Sequence, residues 1–338
     1  METVNVGLIG FGGMGHMHFG CYANNPNAKV VAMCDIDPAK FEGGDDVKIN
    51  ISSGDAKPLD LTGVALYTKI DDLLKDPNVR LVDICLPTRM HAEVSCQALE
   101  SGKDVFCEKP MAWNVDECAR VERAIEKSGK QFAVGHCLRY WPQYMAVSKI
   151  VESKQYGDWR YARLHRSGST PGWSWNNWLC TGDQSGGAVI DMHIHDADAA
   201  LWWFGKPQTV KAAGIKVDGL PLTVDAMWTY EKNRVVSLHG GWDLNGGDFR
   251  YAFKVVFEEA TVAFDSAIDG AFVRIVTAAG TEKLPVDEYS AYQSEIDDIV
   301  DCLQKGRPIK RITAVESKLA VEIVRSEMDQ IEALSKID

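Results

Sequence analysis

An aspartate and a histidine four residues apart form the clearest candidate pair for proton transfer in this chain. The segment from Gly186 to Asp198 contains Asp191 and His195. In a helix these two side chains would share one face, because residues four apart are neighbours there. Oxidation of an alcohol requires a base that accepts the hydroxyl proton, and an imidazole with a pKa near neutrality suits that task. Asp191 would orient the ring and stabilise its protonated form.

Two other interpretations of this segment remain open. His193, His195 and a nearby aspartate could bind a metal ion, but residues two apart point away from each other on a helix and chelate poorly. The same side chains could also cap and solvate an exposed helix. We expect no metal here.

A lysine follows the fifth predicted strand, in Glu108-Lys109-Pro110. The carboxyl ends of parallel strands face the crevice in which cofactors bind. An ammonium group at that position could hydrogen-bond a substrate oxygen and stabilise developing negative charge. A surface ion pair within a turn is the equally common alternative for an isolated Glu-Lys-Pro.

A glycine-rich loop near the N-terminus predicts a dinucleotide site. It follows a strand, precedes a helix and consists of Gly10, Phe11, Gly12, Gly13, Met14 and Gly15. The first glycine permits a tight turn, the second lets the backbone approach a pyrophosphate, and the third lets helix and strand pack closely. Asp35 ends the next strand, where it could accept hydrogen bonds from the adenosine ribose. Its charge would repel a 2′-phosphate and no arginine follows at 36 or 37, so NAD is favoured over NADP.

Alternating strands and helices must position these residues. Apolar runs such as Val4 to Ile9 and Val82 to Leu86 alternate with helical segments up to about residue 136, which is typical of a parallel sheet covered on both faces. Residues 41–61 are polar and predict a loop. Beyond residue 140, one helix from Gly187 to Phe204 carries the Asp–His pair, and consecutive strands without helices between them predict antiparallel pairing.

The predicted fold class is therefore α/β, with two domains. Residues 1–136 would form a dinucleotide-binding Rossmann domain. Residues 137–338 would form an α/β domain for substrate binding and oligomerisation, with a large, open, mostly antiparallel sheet that has helices on one face. Thr313 and Glu316 form a possible capping box for the last helix, which could pack back on the first domain.

Composition and charge exclude several classes of function. The net charge of -12 disfavours nucleic acid and anionic membranes as partners. The nine cysteines include no CxxC pair, which indicates reduced thiols in a cytoplasmic protein rather than disulfides or zinc ligands. Glu2 stands where a signal peptide would carry positive charge, and no apolar run is long enough to span a bilayer.

In combination, the motifs resemble the Gfo/Idh/MocA family, which includes glucose–fructose oxidoreductase and inositol 2-dehydrogenase. The resemblance extends over essentially the whole chain. It rests on Gly10 to Gly15, Leu86-Pro87-Thr88 with His91, Glu108-Lys109-Pro110, Gly186 to Asp198, and Tyr292 before Gly306.

The resemblance implies a role for each motif. Lys109, Asp191 and His195 match the family's catalytic residues. Besides the glycine loop and Asp35, the expected cofactor-binding residues are Pro87, Thr88, His91, Glu108, Lys109 and Pro110. Family members are often homodimers or homotetramers joined through the open sheet. Aromatic residues expected near its exposed face are Trp228, Tyr230, Phe253 and Phe257. The polar 41–61 stretch departs from the helix usual in the family.

The substrate would be a sugar, an inositol, a polyol or a related compound. Trp173, Trp175 and Trp178 precede the catalytic segment, and indole faces suit the apolar faces of sugar rings, although these residues could equally lie in a core or an interface. The further candidates for substrate contact are Arg139, His165, Tyr292 and His239.

The combined prediction is an NAD-dependent dehydrogenase that transfers hydride between nicotinamide and a hydroxyl carbon of such a compound. Two alternatives stay open. A non-catalytic, NAD-binding, sugar-sensing regulator could share the fold, although it would not be expected to keep Lys109, Asp191 and His195 together. A glycosidase or epimerase that oxidises its substrate only transiently, and recycles bound NAD, would need the same residues.

Overall fold

The computed structural model describes residues 2–42 and 60–334. They belong to two compact units: the first falls within Met1–His136 and Ser290–Lys318, and the second within Cys137–Tyr289 and Leu319–Asp338. The sequence-based division placed residues 290–318 in the second domain, whereas in the structure they cluster with the first unit. Most of the polar stretch 41–61 lies outside the described residues.

The first unit is built on a six-stranded parallel sheet in the order β3-β2-β1-β4-β5-β6. Its strands are β1 (Val4–Ile9), β2 (Ala28–Cys34), β3 (Ala65–Tyr67), β4 (Leu81–Ile84), β5 (Asp104–Glu108) and β6 (Phe132–Gly135). Its helices are α1 (Gly13–Asn24), α2 (Ile70–Leu74), α3 (Thr88–Glu100) and α4 (Val115–Ser128), followed near the C-terminus by α9 (Ala291–Gln304).

The central strands of this sheet are buried along their whole length because helices cover both faces. Every residue of β4 and β5 is buried, and side chains from α1 and α9 join the strands in one hydrophobic core. The strand order reverses between β1 and β4. Nucleotides bind at such a reversal, beyond the carboxyl ends of the strands, and the glycine loop and Glu108-Lys109-Pro110 both follow those ends.

The second unit contains an eight-stranded sheet in the order β16-β15-β14-β13-β7-β12-β11-β8. Its strands are β7 (Trp159–Ser167), β8 (Thr209–Ala213), β11 (Thr223–Tyr230), β12 (Arg234–Gly241), β13 (Arg250–Phe257), β14 (Thr261–Asp265), β15 (Phe272–Thr277) and β16 (Gly280–Pro285), with a separate hairpin of β9 (Lys216–Val217) and β10 (Leu220–Pro221). Only β7 and β12 pair in parallel among these described pairs. The sheet is thus mostly antiparallel, as predicted.

Helices pack on one face of this sheet. They are α5 (Pro142–Ser153), α7 (Gly187–Asp191) and α8 (His193–Phe204), together with the second part of α10 (Ala314–Leu334), whereas the short α6 (Gly182–Ser185) packs against α7 and β10. The predicted capping box at the start of α10 is confirmed, because the Glu316 amide donates to Thr313 Oγ1 and the Thr313 amide donates to Glu316 Oε2. Among the helices that the structure describes, none is long and apolar enough to cross a membrane.

The aromatic residues expected near the open face lie on the opposite, helix-covered face. Trp228, Tyr230, Phe253 and Phe257 are all buried. Successive side chains in a strand point to opposite faces. The residues that alternate with these aromatics therefore face outward, and one of them, Met227, is 50% exposed. The expectation was wrong because these aromatic residues share a face with the other apolar positions of their strands, such as Val224 and Val255, and that face is the buried one.

Candidate active site

The glycine loop has the local geometry that a pyrophosphate site requires. Gly10 has φ +91°, and a Cβ atom there would lie 2.5 Å from the Cys85 carbonyl oxygen. A Cβ atom on Gly15 would lie 2.1 Å from the Gly10 carbonyl oxygen, whereas one on Gly12 would meet nothing within 4 Å. The loop is therefore closed where helix and strand pack and open where a backbone must approach a ligand. The residues present fit a dinucleotide.

Asp35 lies directly beside this loop. Its Oδ2 atom accepts a hydrogen bond of 2.8 Å from the Phe11 amide, and its Oδ1 atom accepts one of 2.9 Å from the Asp37 amide. The Lys40 ammonium lies 3.3 Å from Oδ2. Positions 36 and 37 carry no basic residue, but a short 3₁₀ helix, Pro38–Phe41, brings Lys40 back to the carboxylate, which the sequence pattern did not predict.

His91 links the two loops that the sequence assigned to the nicotinamide side. One ring nitrogen lies 2.6 Å from the Pro110 carbonyl oxygen and the other 2.7 Å from the Leu86 carbonyl oxygen. Burial lowers the pKa of His91, in opposition to the two carbonyl groups. Thr88, at the start of α3, is buried as well. His91 therefore lies buried between the Pro110 and Leu86 carbonyl groups, and a neutral ring can donate a hydrogen bond to one of them.

Lys109 follows a carboxylate that is held by an unpredicted histidine. Glu108 Oε2 accepts a hydrogen bond of 3.1 Å from the Lys109 amide, and Glu108 Oε1 lies 3.2 Å from His18 Nε2. The other ring nitrogen of His18 lies 2.9 Å from Asp83 Oδ2. A Cβ atom on Gly135 would come within 2.9 Å of Glu108 Oε1, so the glycine leaves room for this carboxylate.

The charges of this buried cluster stabilise one another. Burial opposes the charged imidazolium, but the charge of Asp83 raises the pKa of His18 well above its usual value. Burial likewise opposes the ionised form of Glu108, yet the nearby His18 lowers the pKa of that carboxyl. His18 is thus an imidazolium between two carboxylates. Its position three residues after Gly15, in the helix that the loop opens, was the only sequence signal for this role.

His18 and Asp83 also belong, with Cys85, to the one group of potential metal ligands within the described residues. His18, Asp83 and Cys85 place donor atoms within 4.8 Å of one another. A metal ligand must offer an unprotonated nitrogen, whereas the raised pKa of His18 and the carboxylate at each of its nitrogens favour the protonated ring. The arrangement therefore fits an ion-paired network better than a metal centre.

The predicted catalytic helix of the second unit is divided in two. α7 ends at Asp191 and α8 begins at His193, with Met192 between them at φ −102° and ψ −47°. Asp191 and His195 therefore lie at the end of one helical segment and in the first turn of the next. Both residues are of intermediate burial.

Two buried ion pairs hold α8 in place. Arg139 Nε and an Arg139 terminal nitrogen donate to the Asp198 carboxylate at 2.9 and 2.8 Å. Arg166 Nε donates to Asp196 Oδ2 at 2.6 Å. Bidentate and charge-assisted bonds of this kind fix orientation. Arg139, predicted as a substrate residue, is almost fully buried in its ion pair.

The remaining histidine of the segment is also engaged inside the unit. His193 Nε2 lies 2.9 Å from Glu327 Oε2, and the Trp228 indole nitrogen donates to the other oxygen of Glu327 at 2.7 Å. Asp191 and His195 are consequently the titratable residues of α7 and α8 that are not buried. The other three, His193, Asp196 and Asp198, are buried in ion pairs within the unit.

The other predicted substrate residues occupy varied positions. Trp175 is 49% exposed, while Trp178 is partly buried against a small hydrophobic cluster of the second unit. His165 stacks on His239 across β7 and β12, with ring centroids 4.8 Å apart. Tyr292 lies on α9 and packs partly buried against the core of the first unit.

Two family models match this chain. The model described as "Oxidoreductase family, NAD-binding Rossmann fold" matches residues 4–136. The model described as "GFO/IDH/MocA C-terminal domain" matches residues 144–263. Together they cover most of the chain.

Similar curated proteins include two enzymes named inositol 2-dehydrogenase. The one from Rubrobacter xylanophilus is 32% identical over 204 residues, which are 60% of this chain and 52% of that protein. The one from Rhizobium meliloti is 26% identical over 330 residues, 91% of each chain. For several matched relatives the chain spans only 52–57% of their length.

Among solved structures, levoglucosan dehydrogenase in complex with NADH and L-sorbose is similar over 98% of each chain. The TM-score is 0.84 and the sequence identity is 20%. At this identity the likeness shows a shared fold.

Proposed function

Since the chain belongs to the Gfo/Idh/MocA family of NAD-binding oxidoreductases, we propose that it is an NAD-dependent dehydrogenase acting on a hydroxyl of a sugar, inositol or polyol. One observation carries the proposal. Among the titratable residues of α7 and α8, Asp191 and His195 alone are not buried, while the others are held in ion pairs within the unit.

In the proposed mechanism His195 accepts the proton of the substrate hydroxyl. Asp191 stabilises the imidazolium that forms, and Lys109 donates a hydrogen bond to the substrate oxygen. Bound NAD would supply the hydride acceptor. The Glu108 carboxylate and His91 hold the backbone on either side of Lys109, and this support limits the positions that the lysine can take.

The substrate class is inferred from similar proteins. Two of them are named inositol 2-dehydrogenase, and the structurally similar levoglucosan dehydrogenase is described with L-sorbose. These are all compounds with several hydroxyl groups on a ring or a short chain. Trp175, which is exposed before α7, offers an indole face for such a compound.

The test begins with purified protein, NAD and a panel of sugars, inositols and polyols at mildly alkaline pH. Once a substrate is found, His195→Ala should lower turnover by roughly 10²–10⁴-fold, because it removes the base, while NADH binding persists. Glu231→Ala, at an exposed turn residue of the same unit, is the control, and it should change turnover much less. Near-normal turnover of His195→Ala would contradict the assignment, and conversion of substrate without net NADH release would favour the transient-oxidation alternative.

We also propose a homodimer or homotetramer formed through the open face of the eight-stranded sheet. On this face Met227 is exposed, and Tyr161 and Val235 are partly exposed. A cytoplasmic location is proposed from the cysteines, because all nine are free thiols and disulfides are rare in reducing compartments.

A further inference from the structure

We propose that Glu327 of α10 is a positioning residue for the proposed reaction, because its buried contact with His193 sets where α8 begins and thereby where His195 lies. The inference rests on the proposed role of His195 as the base. It adds a residue that acts through another side chain rather than on the substrate.

The contact between Glu327 and His193 is closed to solvent and leaves the carboxylate little freedom. His193 Nε2 lies 2.9 Å from Glu327 Oε2, and neither side chain is exposed. The buried Trp228 indole nitrogen donates to Glu327 Oε1 at 2.7 Å. A shift of the carboxylate would weaken a hydrogen bond that no water molecule replaces, which is costly for a buried polar group.

The charges of the two side chains strengthen this contact. Burial disfavours the charged imidazolium, but the charge of Glu327 and the hydrogen bond to it raise the pKa of His193 above its ordinary value. Charge-assisted hydrogen bonds are shorter and stronger than neutral ones. The bond therefore fixes the distance between α8 and α10 at this point.

His193 is also held on the side of the sheet. A Cβ atom on Gly240 of β12 would lie 2.7 Å from His193 Cβ and 3.1 Å from its Cα. The glycine therefore lets the start of α8 lie directly against the strand. Since α10 contacts the His193 ring and β12 contacts its backbone, the residue is confined between the two elements.

The break at Met192 gives this anchor its importance for His195. His193 is the first residue of α8, and His195 lies in its first turn. The first amides of a helix have no partner within the helix, so the hydrogen-bond ladder does not fix their direction. Side-chain anchors must do so, and they lie on either side of His195, at His193 and at Asp196. A displacement of His193 would therefore carry His195 with it.

The position of Glu327 is in turn set by the docking of α10 on the edge of the sheet. Gln330 Oε1 accepts a hydrogen bond of 3.0 Å from the Ala212 amide, and Gln330 Nε2 donates to the Val210 carbonyl oxygen at 3.4 Å. Both partners belong to β8, which is the last strand in the order of the sheet. These bonds hold the turn of α10 that carries Glu327 at a fixed place beside the sheet.

Two substitutions at position 327 separate the reach of the side chain from its charge. Glu327→Asp keeps the charge but retracts the carboxylate by about 1.5 Å, the length of one carbon–carbon bond. It should lower kcat by roughly 10–100-fold, because a misplacement of about 1 Å can cost that much. Glu327→Gln keeps the reach. Its amide oxygen can accept from Trp228 and its amide nitrogen can donate to a neutral His193 ring, so kcat should stay near the wild-type value.

The same comparison at position 193 tests the contact from the other side. His193→Gln places an amide N–H near the position of the ring Nε2 and should keep kcat. His193→Asn carries the same amide on a shorter side chain, and it should lower kcat as Glu327→Asp does. The double variant Glu327→Asp/His193→Asn should lose little more than either single variant, because both changes break one contact.

The assay uses the full chain, NAD and the compound of the panel that the wild type oxidises fastest, beginning with myo-inositol. KM for that compound and the affinity for NADH should not change, because the substitutions alter the position of the base and not the binding surfaces. Chemical denaturation identifies the variants that are folded under the assay conditions. Glu322→Asp is the matched control, because Glu322 lies on the same helix in an exposed contact with Lys206, and it should keep the wild-type kcat.

Three results would overturn the inference. They are a folded Glu327→Asp with the wild-type kcat, a Glu327→Gln that loses as much as Glu327→Asp, and losses that multiply in the double variant. If Glu327→Asp does not fold, His193→Asn decides by the same criterion. Each of these results leaves the proposed function intact as long as His195→Ala is impaired, whereas near-normal turnover of His195→Ala would overturn both.

Discussion

At the residue level, His18 shows how a buried histidine can support a site that it does not line. Its two ring nitrogens contact carboxylates from two different strands, Asp83 in β4 and Glu108 in β5. Its ring stacks on Phe106, with centroids 5.2 Å apart. The charged ring compensates these two buried carboxylates, and Glu108 in turn accepts a hydrogen bond from the Lys109 amide.

Replacing this imidazolium should strongly destabilise the protein. His18→Leu leaves two buried carboxylates without their cation, and we expect a loss of about 3–5 kcal/mol in the free energy of unfolding. Chemical denaturation measures the change. His239→Leu is a matched control, because His239 also contacts two carboxylates at 3.0 Å but these are partly or largely exposed. It should cost no more than about 1 kcal/mol.

The destabilisation should depend on pH. The pKa of His18 is raised in the folded state, so its contribution to stability is fully present below its unfolded pKa and is lost as pH rises through the folded value. Above neutral pH, the difference in free energy of unfolding between the wild type and His18→Leu should therefore shrink as the pH rises. A loss in His18→Leu no larger than that in His239→Leu would show that His18 is not an ion-paired imidazolium.

At the level of elements, α7 begins with a glycine that no other residue can replace unless the neighbouring backbone shifts. Gly187 has φ +63°, and a Cβ atom there would lie 2.2 Å from the Pro221 carbonyl oxygen. The glycine thus permits both a left-handed turn and close contact between α7 and β10. These two short elements position the start of the segment that carries Asp191.

Two alanine substitutions separate the cost of the left-handed backbone conformation from the cost of the steric clash, both measured as losses in the free energy of unfolding. Gly187→Ala should cost about 1–2 kcal/mol for its backbone conformation, and about 1–3 kcal/mol more because a backbone carbonyl must shift. Gly129→Ala, at φ +64° with nothing within 4 Å, should show only the first cost. Chemical denaturation of both variants provides the comparison. Equal losses would mean that the contact between α7 and β10 relaxes freely.

At the level of the whole molecule, the second unit has one sheet face covered by helices and one that carries partly exposed apolar residues. The covered face contains the large aromatic residues, including Trp228 and Phe253. The opposite face includes Met227, Tyr161 and Val235. Such a face, if it joins two copies, would bury its apolar residues in an isologous contact.

A charge introduced on this face should weaken the proposed assembly. Light scattering coupled to size exclusion should show a dimer or tetramer for the wild type. Met227→Glu should shift it toward monomer, because an unpaired charge in an interface costs about 2–5 kcal/mol, or roughly 30-fold or more in affinity. Val315→Glu, at a 70% exposed residue of the first unit, is the control. A monomeric wild type, or an unchanged Met227→Glu, would contradict the proposal.

Local sequence patterns were sufficient for the fold class and the family. The spacing of Gly10, Gly12 and Gly15 encodes a backbone path through steric requirements that act within a few residues. The alternation of apolar runs and helices in the first half predicted the parallel sheet, and the family models confirm the assignment. The catalytic roles of Lys109, Asp191 and His195 stay predictions, which rest on the motif and on their placement.

Other features depended on tertiary structure, because they join residues that are distant in sequence. His18 meets Asp83 and Glu108 only through the order of the strands in the sheet. Trp228 is buried because its side chain points to the sheet face that the helices cover. The break at Met192, and the ion pairs that occupy Asp196 and Asp198, likewise follow from packing. Hydrophobic periodicity specifies that a strand has two faces, whereas only the packed structure decides what each face touches.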